Sequence, residues 1–256
     1  DFREKAPLAA TKNMYLDADG NVNSDLSKIG PLAVGIPGTI AGLFEVHQKF
    51  GSLPFEKLIE PAIQLALNGV LVTEKQAKQL NRFKSKFREA NKRTILLDKD
   101  WKTGDTIRYP KLAETLKRIK ANGRDEFYKG ETAKIIVDQV QKLGGIMTKE
   151  DLASYEVKWR DPITFMYKGH KIISMPPPSS GGICLAQILK SIAPYDIEQY
   201  PHNSTQYIQL IVEAERRAYA DRSYFLGDPD FVNIPTDSLM SENYLSKRMS
   251  DFNWEK

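Results

Sequence analysis

Cysteine is almost missing from these 256 residues: Cys184 stands alone, which excludes an internal disulfide and any cysteine-based metal site, and leaves the redox compartment open. Long apolar runs are missing too. None approaches the roughly 20 residues that a bilayer span needs, so no membrane span is expected. Charge of one sign is lacking, since 37 basic residues face 33 acidic ones for a net charge of +4, a balance far from that of a dedicated nucleic-acid binder. There is no internal repeat, no low-complexity tract and no flexible linker. An initiator Met and a basic-then-apolar leader are also lacking, so a targeting segment is absent or removed, and the chain from Asp1 to Lys256 reads as a portion of something longer.

What is present is ordinary globular composition, 41% hydrophobic and 27% charged, enough to bury a sizeable core in one large domain or two small ones. Residues 11–30 are polar and turn-rich. Helical periodicity starts after Pro37, with Ile40, Leu43, Phe44 and Val46 on one side and Gly51 as a left-handed stop. A second helix follows, capped by Ser52, carrying Pro61 as a kink and closed by Gly69. Thr73 and Gln76 have capping-box spacing ahead of a basic helix, Lys75 to Arg93, whose charges read as a solvated face. WKTGDTIRYP reads as a turn; Leu112, Leu116 and Ile119 mark the next helix, and further helices end at Gly144 and begin at Thr148. After Tyr155 the period changes to alternation centred on Lys168-Gly169, the pattern of a hairpin over roughly 163–175. Helices resume at Gly182 and at Ser204.

Several stretches could carry chemistry. Ser179 and Ser180 in SMPPPSSGGI lack the Gly-x-Ser-x-Gly elbow of an activated serine, and the lysine of a phosphate loop is missing, so they read as a cap between the hairpin and the next helix. Glu213, Arg217 and Asp221 recur at four-residue steps on one helix face; with Arg216 and Arg222 interleaved, they read as ion pairs rather than an acid-base couple. Asp228 and Asp230 are too few for calcium and read as a turn, while His47 reads as a helix-surface or core-edge residue and His170 as an exposed strand residue. Arg3 is different. Its planar fork suits bidentate capture of a carboxylate, although a structural salt bridge satisfies the same spacing.

The motifs DFREKAP, GIPGT, NGRDEFYKG, GGIMTKEDLASY, SMPPPSSGG and AYADRSYFLGDPDF resemble, in this order and over nearly the whole chain, the large subunit of bacterial γ-glutamyltranspeptidases. The resemblance implies an N-terminal-nucleophile (Ntn) hydrolase, made as a proenzyme that cuts itself into a large and a small subunit. Its fold class would be α+β, mainly helical in this chain and part of an αββα sandwich completed by absent sequence. The chain is then a single domain over 1–256: an N-terminal loop with the substrate arginine over 1–36, a helical region over 37–155, and a hairpin plus helices over 156–256. The nucleophile would be the threonine that opens the small subunit, the expected partner, so no catalytic residue, metal or cofactor is expected in this chain, and the chain alone is expected to be inactive. Glutathione or another γ-glutamyl compound is the implied donor, amino acids, peptides or water the acceptors, and Arg3 the group that grips the donor's α-carboxylate. A periplasmic or secreted location is implied as well. The alternatives are a poly-γ-glutamate-processing enzyme or cephalosporin-acylase-type Ntn hydrolase, or a non-catalytic helical module contacting an acidic partner through Lys75 to Arg93.

Overall fold

The computed structural model describes residues 1–90, 94–97 and 99–255. They group into two compact units, Asp1–Lys158 and Trp159–Lys256, and each is described by itself.

In the first unit, α1 (Thr39–Phe50) and α2 (Phe55–Asn68) are followed by a two-residue strand β1 (Val70–Leu71), then α3 (Glu74–Arg82) and α4 (Lys84–Ala90). Strand β2 (Thr106–Ile107) pairs antiparallel with β1, and α5 (Pro110–Asn122), α6 (Arg124–Tyr128), α7 (Glu131–Lys142) and α8 (Lys149–Ala153) complete the unit. Ile59 and Ile63 of α2 close on Ile119 of α5, with Phe44 and Phe55 stacked beside them. A second core, built from Ile36, Ala41, Tyr128, Val137, Met147, Leu152 and Tyr155, joins α1, α6, α7 and α8 and lies under the N-terminal residues.

Local signals act as the sequence suggests. Thr73 and Gln76 form a reciprocal capping box at the start of α3, the amide of Thr73 donating to Gln76 Oε1 at 2.8 Å and the amide of Gln76 to Thr73 Oγ1 at 3.3 Å. Thr148 and Asp151 repeat the device on α8. Other expectations need correction. Gly51 is not a left-handed stop: its φ is −68°, and glycine is needed because a Cβ would lie 2.4 Å from the His47 ring. Ser52 does not cap α2, whose N-cap is Pro54 with no side-chain cap. Leu43 and Val46 face solvent; the side of α1 that packs inward carries Ile40, Ala41 and Phe44. The turn-like WKTGDTIRYP contributes β2, and the basic stretch breaks at Phe83 into α3 and α4, with positions 91–93 outside the described residues.

In the second unit, β3 (Ile163–Tyr167) and β4 (His170–Ser174) form the expected hairpin, with φ of 46° at Lys168 and 79° at Gly169. Positive φ at both central residues is the twist-matched two-residue turn. Ile163 and Phe165 point from one face onto Ile183 and Ala186 of α9 (Gly181–Ile192) and onto Leu239 of α11 (Thr236–Leu239). The long α10 (Thr205–Phe225), capped by Ser204, packs Leu210 and Ala214 against Ile192 and against Met249 of α12 (Glu242–Met249). Among the described residues no helix is long and apolar enough to cross a membrane.

Candidate substrate-binding site

The first eight residues have no helix or ladder of their own, yet they are tied to the first unit at four places. Asp1 exchanges backbone hydrogen bonds with Lys158, at 2.8 Å from its nitrogen and 2.9 Å to its carbonyl. Lys5 pairs with Ile36, whose amide donates to the Lys5 carbonyl at 2.8 Å. The Leu8 amide donates to Asp151 Oδ1 at 2.6 Å. Although burial opposes it, this bond and those from Thr148 hold the Asp151 carboxyl below the usual carboxylate range. The fourth tie falls on Arg3 itself, whose carbonyl accepts the Tyr155 hydroxyl at 2.7 Å.

Small residues make this possible. Phe2 lies over Gly42, where a Cβ would come within 2.7 Å of its ring, and the Glu4 side chain sits against Gly35 at 3.1 Å from the same imagined atom. Gly38 is tightest: a Cβ there would fall 1.9 Å from Tyr155 Oη and 2.2 Å from the Phe2 carbonyl. The glycines of GIPG are therefore clearance for the segment that bears Arg3.

Tyr155 is held as firmly as it holds. Its ring is 1% exposed and stacks on Tyr128 with centroids 5.6 Å apart. The Arg124 guanidinium lies 4.6 Å from the Tyr128 ring centroid and donates to the Tyr155 carbonyl at 2.5 Å. Tyr128 in turn donates to the Pro37 carbonyl at 2.9 Å and accepts the Ala41 amide at 3.1 Å. Burial, with Tyr128 and Glu4 nearby, pushes the Tyr155 phenol up to about 12, so it stays a neutral donor at neutral pH. Four of the quoted motifs, DFREKAP, GIPGT, NGRDEFYKG and GGIMTKEDLASY, thus converge on the Arg3 main chain.

The Arg3 side chain is left out of this lattice. Its residue is exposed, and among the described residues its guanidinium makes no hydrogen bond or ion pair. A cationic fork on a fixed backbone, with all its donors unused, is suited to a planar anion such as a carboxylate. Among the described residues, the structural salt bridge that spacing alone left open is not formed.

The second unit gathers the other two motifs. Ser180 precedes α9, but its backbone is helical (φ −76°, ψ −15°) and its hydroxyl caps nothing; it accepts from Arg222 Nε at 2.9 Å. Ser179 is the one that turns back, accepting the Gly181 amide at 3.3 Å. Among the described residues neither has a histidine partner. Cys184 is buried, which pushes its thiol up and away from nucleophilic character. Arg217 donates to Glu213, to Asp251 at 2.5 Å and to the Arg248 carbonyl at 2.7 Å. Asp221 does not complete the helical row of pairs; it takes Arg248 at 3.0 Å and Gln187 at 2.8 Å instead. Asp228 accepts the Asp230 amide at 3.0 Å in a turn, and Asp230 receives Arg160 bidentately at 2.9 and 3.3 Å. His47 meets the Leu53 carbonyl at 2.7 Å, and His170 is exposed beside the hairpin turn.

The family model for gamma-glutamyltranspeptidase matches residues 1–256. This chain belongs to the gamma-glutamyltranspeptidase family. It is 43% identical over 255 residues to the glutathione hydrolase proenzyme of Escherichia coli K12, covering 98% of this chain and 44% of that relative. The likeness to the glutathione hydrolase proenzyme of Pseudomonas aeruginosa is 43% over 257 residues, covering 99% of this chain and 46% of that protein. The chain thus spans less than half the length of these curated relatives. Among solved structures, the gamma-glutamyltranspeptidase of Helicobacter pylori superposes with a TM-score of 0.93 at 44% identity, over 99% of this chain and 74% of that one. The mainly helical α+β arrangement is therefore that of the large-subunit part of a gamma-glutamyltranspeptidase, an Ntn hydrolase.

Sequence reading singled out Arg3 and missed Tyr155, Arg124 and Gly38. All three stood inside quoted motifs, but a tyrosine 152 positions from its partner gives no local signal.

Proposed function

We propose that this gamma-glutamyltranspeptidase chain supplies part of the large subunit of an enzyme that cleaves the γ-glutamyl bond of glutathione and related compounds. The γ-glutamyl group passes to amino acids, peptides or water. The observation that carries the proposal is Arg3: a free guanidinium on a backbone anchored by motifs from four parts of the chain. Its fork takes the α-carboxylate of the γ-glutamyl donor, so that charge and geometry both select a free α-acid. The partner is a small subunit that opens with threonine and completes the αββα sandwich. The threonine hydroxyl attacks the γ-carbonyl while its own α-amino group takes the proton; the amine of the departing peptide receives that proton as the C–N bond breaks, leaving a γ-glutamyl ester. An acceptor amine or water then attacks the ester and frees the threonine. Backbone N–H groups would stabilise the oxyanion in both steps. A periplasmic or secreted location belongs to the same reading.

The test is turnover of a chromogenic γ-glutamyl amide. The complete two-subunit enzyme is expected to release the chromophore and the purified 256-residue chain to release none. Turnover by the chain alone would contradict the assignment of the nucleophile to the small subunit. Preference of the complete enzyme for acyl donors without a free α-carboxylate would favour an acylase.

A further inference from the structure

We infer that Tyr155 is a positioning residue for substrate binding: its hydroxyl fixes the Arg3 main chain and thereby the direction in which the guanidinium fork meets the donor's carboxylate. The inference rests on the α-carboxylate role proposed for Arg3. A guanidinium on a flexible terminal segment would have to be ordered at each binding event, whereas here the ordering is built into the fold.

The geometry gives Tyr155 that task in particular. The flanking ties at Asp1–Lys158, Lys5–Ile36 and Leu8–Asp151 hold the segment on either side of Arg3, and among the described residues it is the Tyr155 hydroxyl, at 2.7 Å, that holds the Arg3 carbonyl. That hydroxyl cannot wander. The ring is sealed between Tyr128 and the space vacated by the Gly38 side chain, and its main chain is pinned by Arg124. The phenol stays neutral at neutral pH, so the donated hydrogen bond persists there. Tyr155 touches no substrate itself; it acts through Arg3.

The experiment uses the complete enzyme and the variant Tyr155→Phe, which keeps the buried ring and removes one hydroxyl. KM for a γ-glutamyl amide is expected to rise about three- to ten-fold, as the loss of a single hydrogen bond that orders the binding group allows, with kcat at saturating donor unchanged. Selectivity is the readout that a purely structural role would not move. The preference for a donor with a free α-carboxylate over its α-methyl ester should shrink by the same factor, because the ester gains nothing from a well-aimed fork. Ile192→Val, a core change in the second unit, is expected to lower stability and leave both KM and this ratio where they were. Unchanged KM and ratio in Tyr155→Phe, while Arg3→Lys raises KM, would overturn the role of Tyr155 alone. Unchanged KM in Arg3→Lys would overturn the reading of Arg3 beneath it.

Discussion

Replacing Gly38 with alanine adds a single methyl group, and the structure says where it must go. The new carbon would stand 1.9 Å from Tyr155 Oη, 2.5 Å from Tyr155 Cζ and 2.2 Å from the Phe2 carbonyl oxygen, all well inside contact distance. Neither neighbour can yield cheaply. Tyr155 is 1% exposed and stacked on Tyr128, and the Phe2 carbonyl belongs to the tethered N-terminal segment. Overpacking of this kind costs about 1–3 kcal/mol. Displacing the phenol also breaks its hydrogen bond to Arg3, worth about 1 kcal/mol. The sum, about 2–4 kcal/mol, corresponds to a drop of roughly 4–16 °C in Tm for a unit of this size. Gly181→Ala is the matched comparison. Its Cβ would meet only Ser179 Oγ at 3.5 Å, and its place at the start of α9 favours alanine, so it is expected to be neutral or stabilising by up to about 1 kcal/mol. Urea unfolding of the two variants beside the parent chain reads both values. Equal effects of the two substitutions would refute the argument that Gly38 provides clearance for Tyr155 and Phe2.

Three further variants lie in the second unit. Hydrogen bonds from Arg216 and then Arg217 hold the Glu213 carboxyl at about 2, well below its ordinary 4.5. Because the folded value lies below the unfolded one, this stabilisation is complete above about pH 4.5 and is lost as pH falls through about 2. Glu213→Gln should therefore flatten the acid limb of the stability profile between those values and leave its neutral region parallel to the parent; an unaltered acid slope in urea midpoints would contradict this. At the hairpin, Gly169→Ala is expected to cost about 1 kcal/mol, since φ is 79° there, and Lys168→Asn to cost nothing or to stabilise slightly. The Lys168–Glu198 pair lost in that variant is exposed and contributes little. A destabilised Lys168→Asn variant in thermal melts would refute the turn assignment.

The features legible in the sequence were those whose cause is local. A capping box needs residues three apart, and a two-residue hairpin turn needs positive φ at adjacent positions, so Thr73 with Gln76 and Lys168 with Gly169 could be read directly, while at Thr148 only the helix start was read and the box with Asp151 came from the structure. The pairing of Val70–Leu71 with Thr106–Ile107 escaped because two-residue strands have no period, and their partners lie 35 or more positions apart. Gly51 was misread because the same residue serves either as a left-handed cap or as clearance, and only the position of the His47 ring separates the two uses. In α10 the four-residue spacing gave Glu213–Arg217, but tertiary packing sent Asp221 to Arg248 and Gln187. The candidate site divides the same way. Arg3 could be named from its motif, whereas the clamp that orients it is long-range, running through Tyr155, Arg124 and Gly38, and needed the fold to be seen.

Donor affinity in the complete enzyme carrying Arg3→Lys decides whether the Arg3 fork grips the donor's α-carboxylate. A lysine keeps the charge and loses the planar fork, so KM for γ-glutamyl donors is expected to rise about ten- to a hundred-fold, with a much smaller change for donors whose α-carboxylate is esterified. A KM equal to that of the parent enzyme for both donors would contradict it.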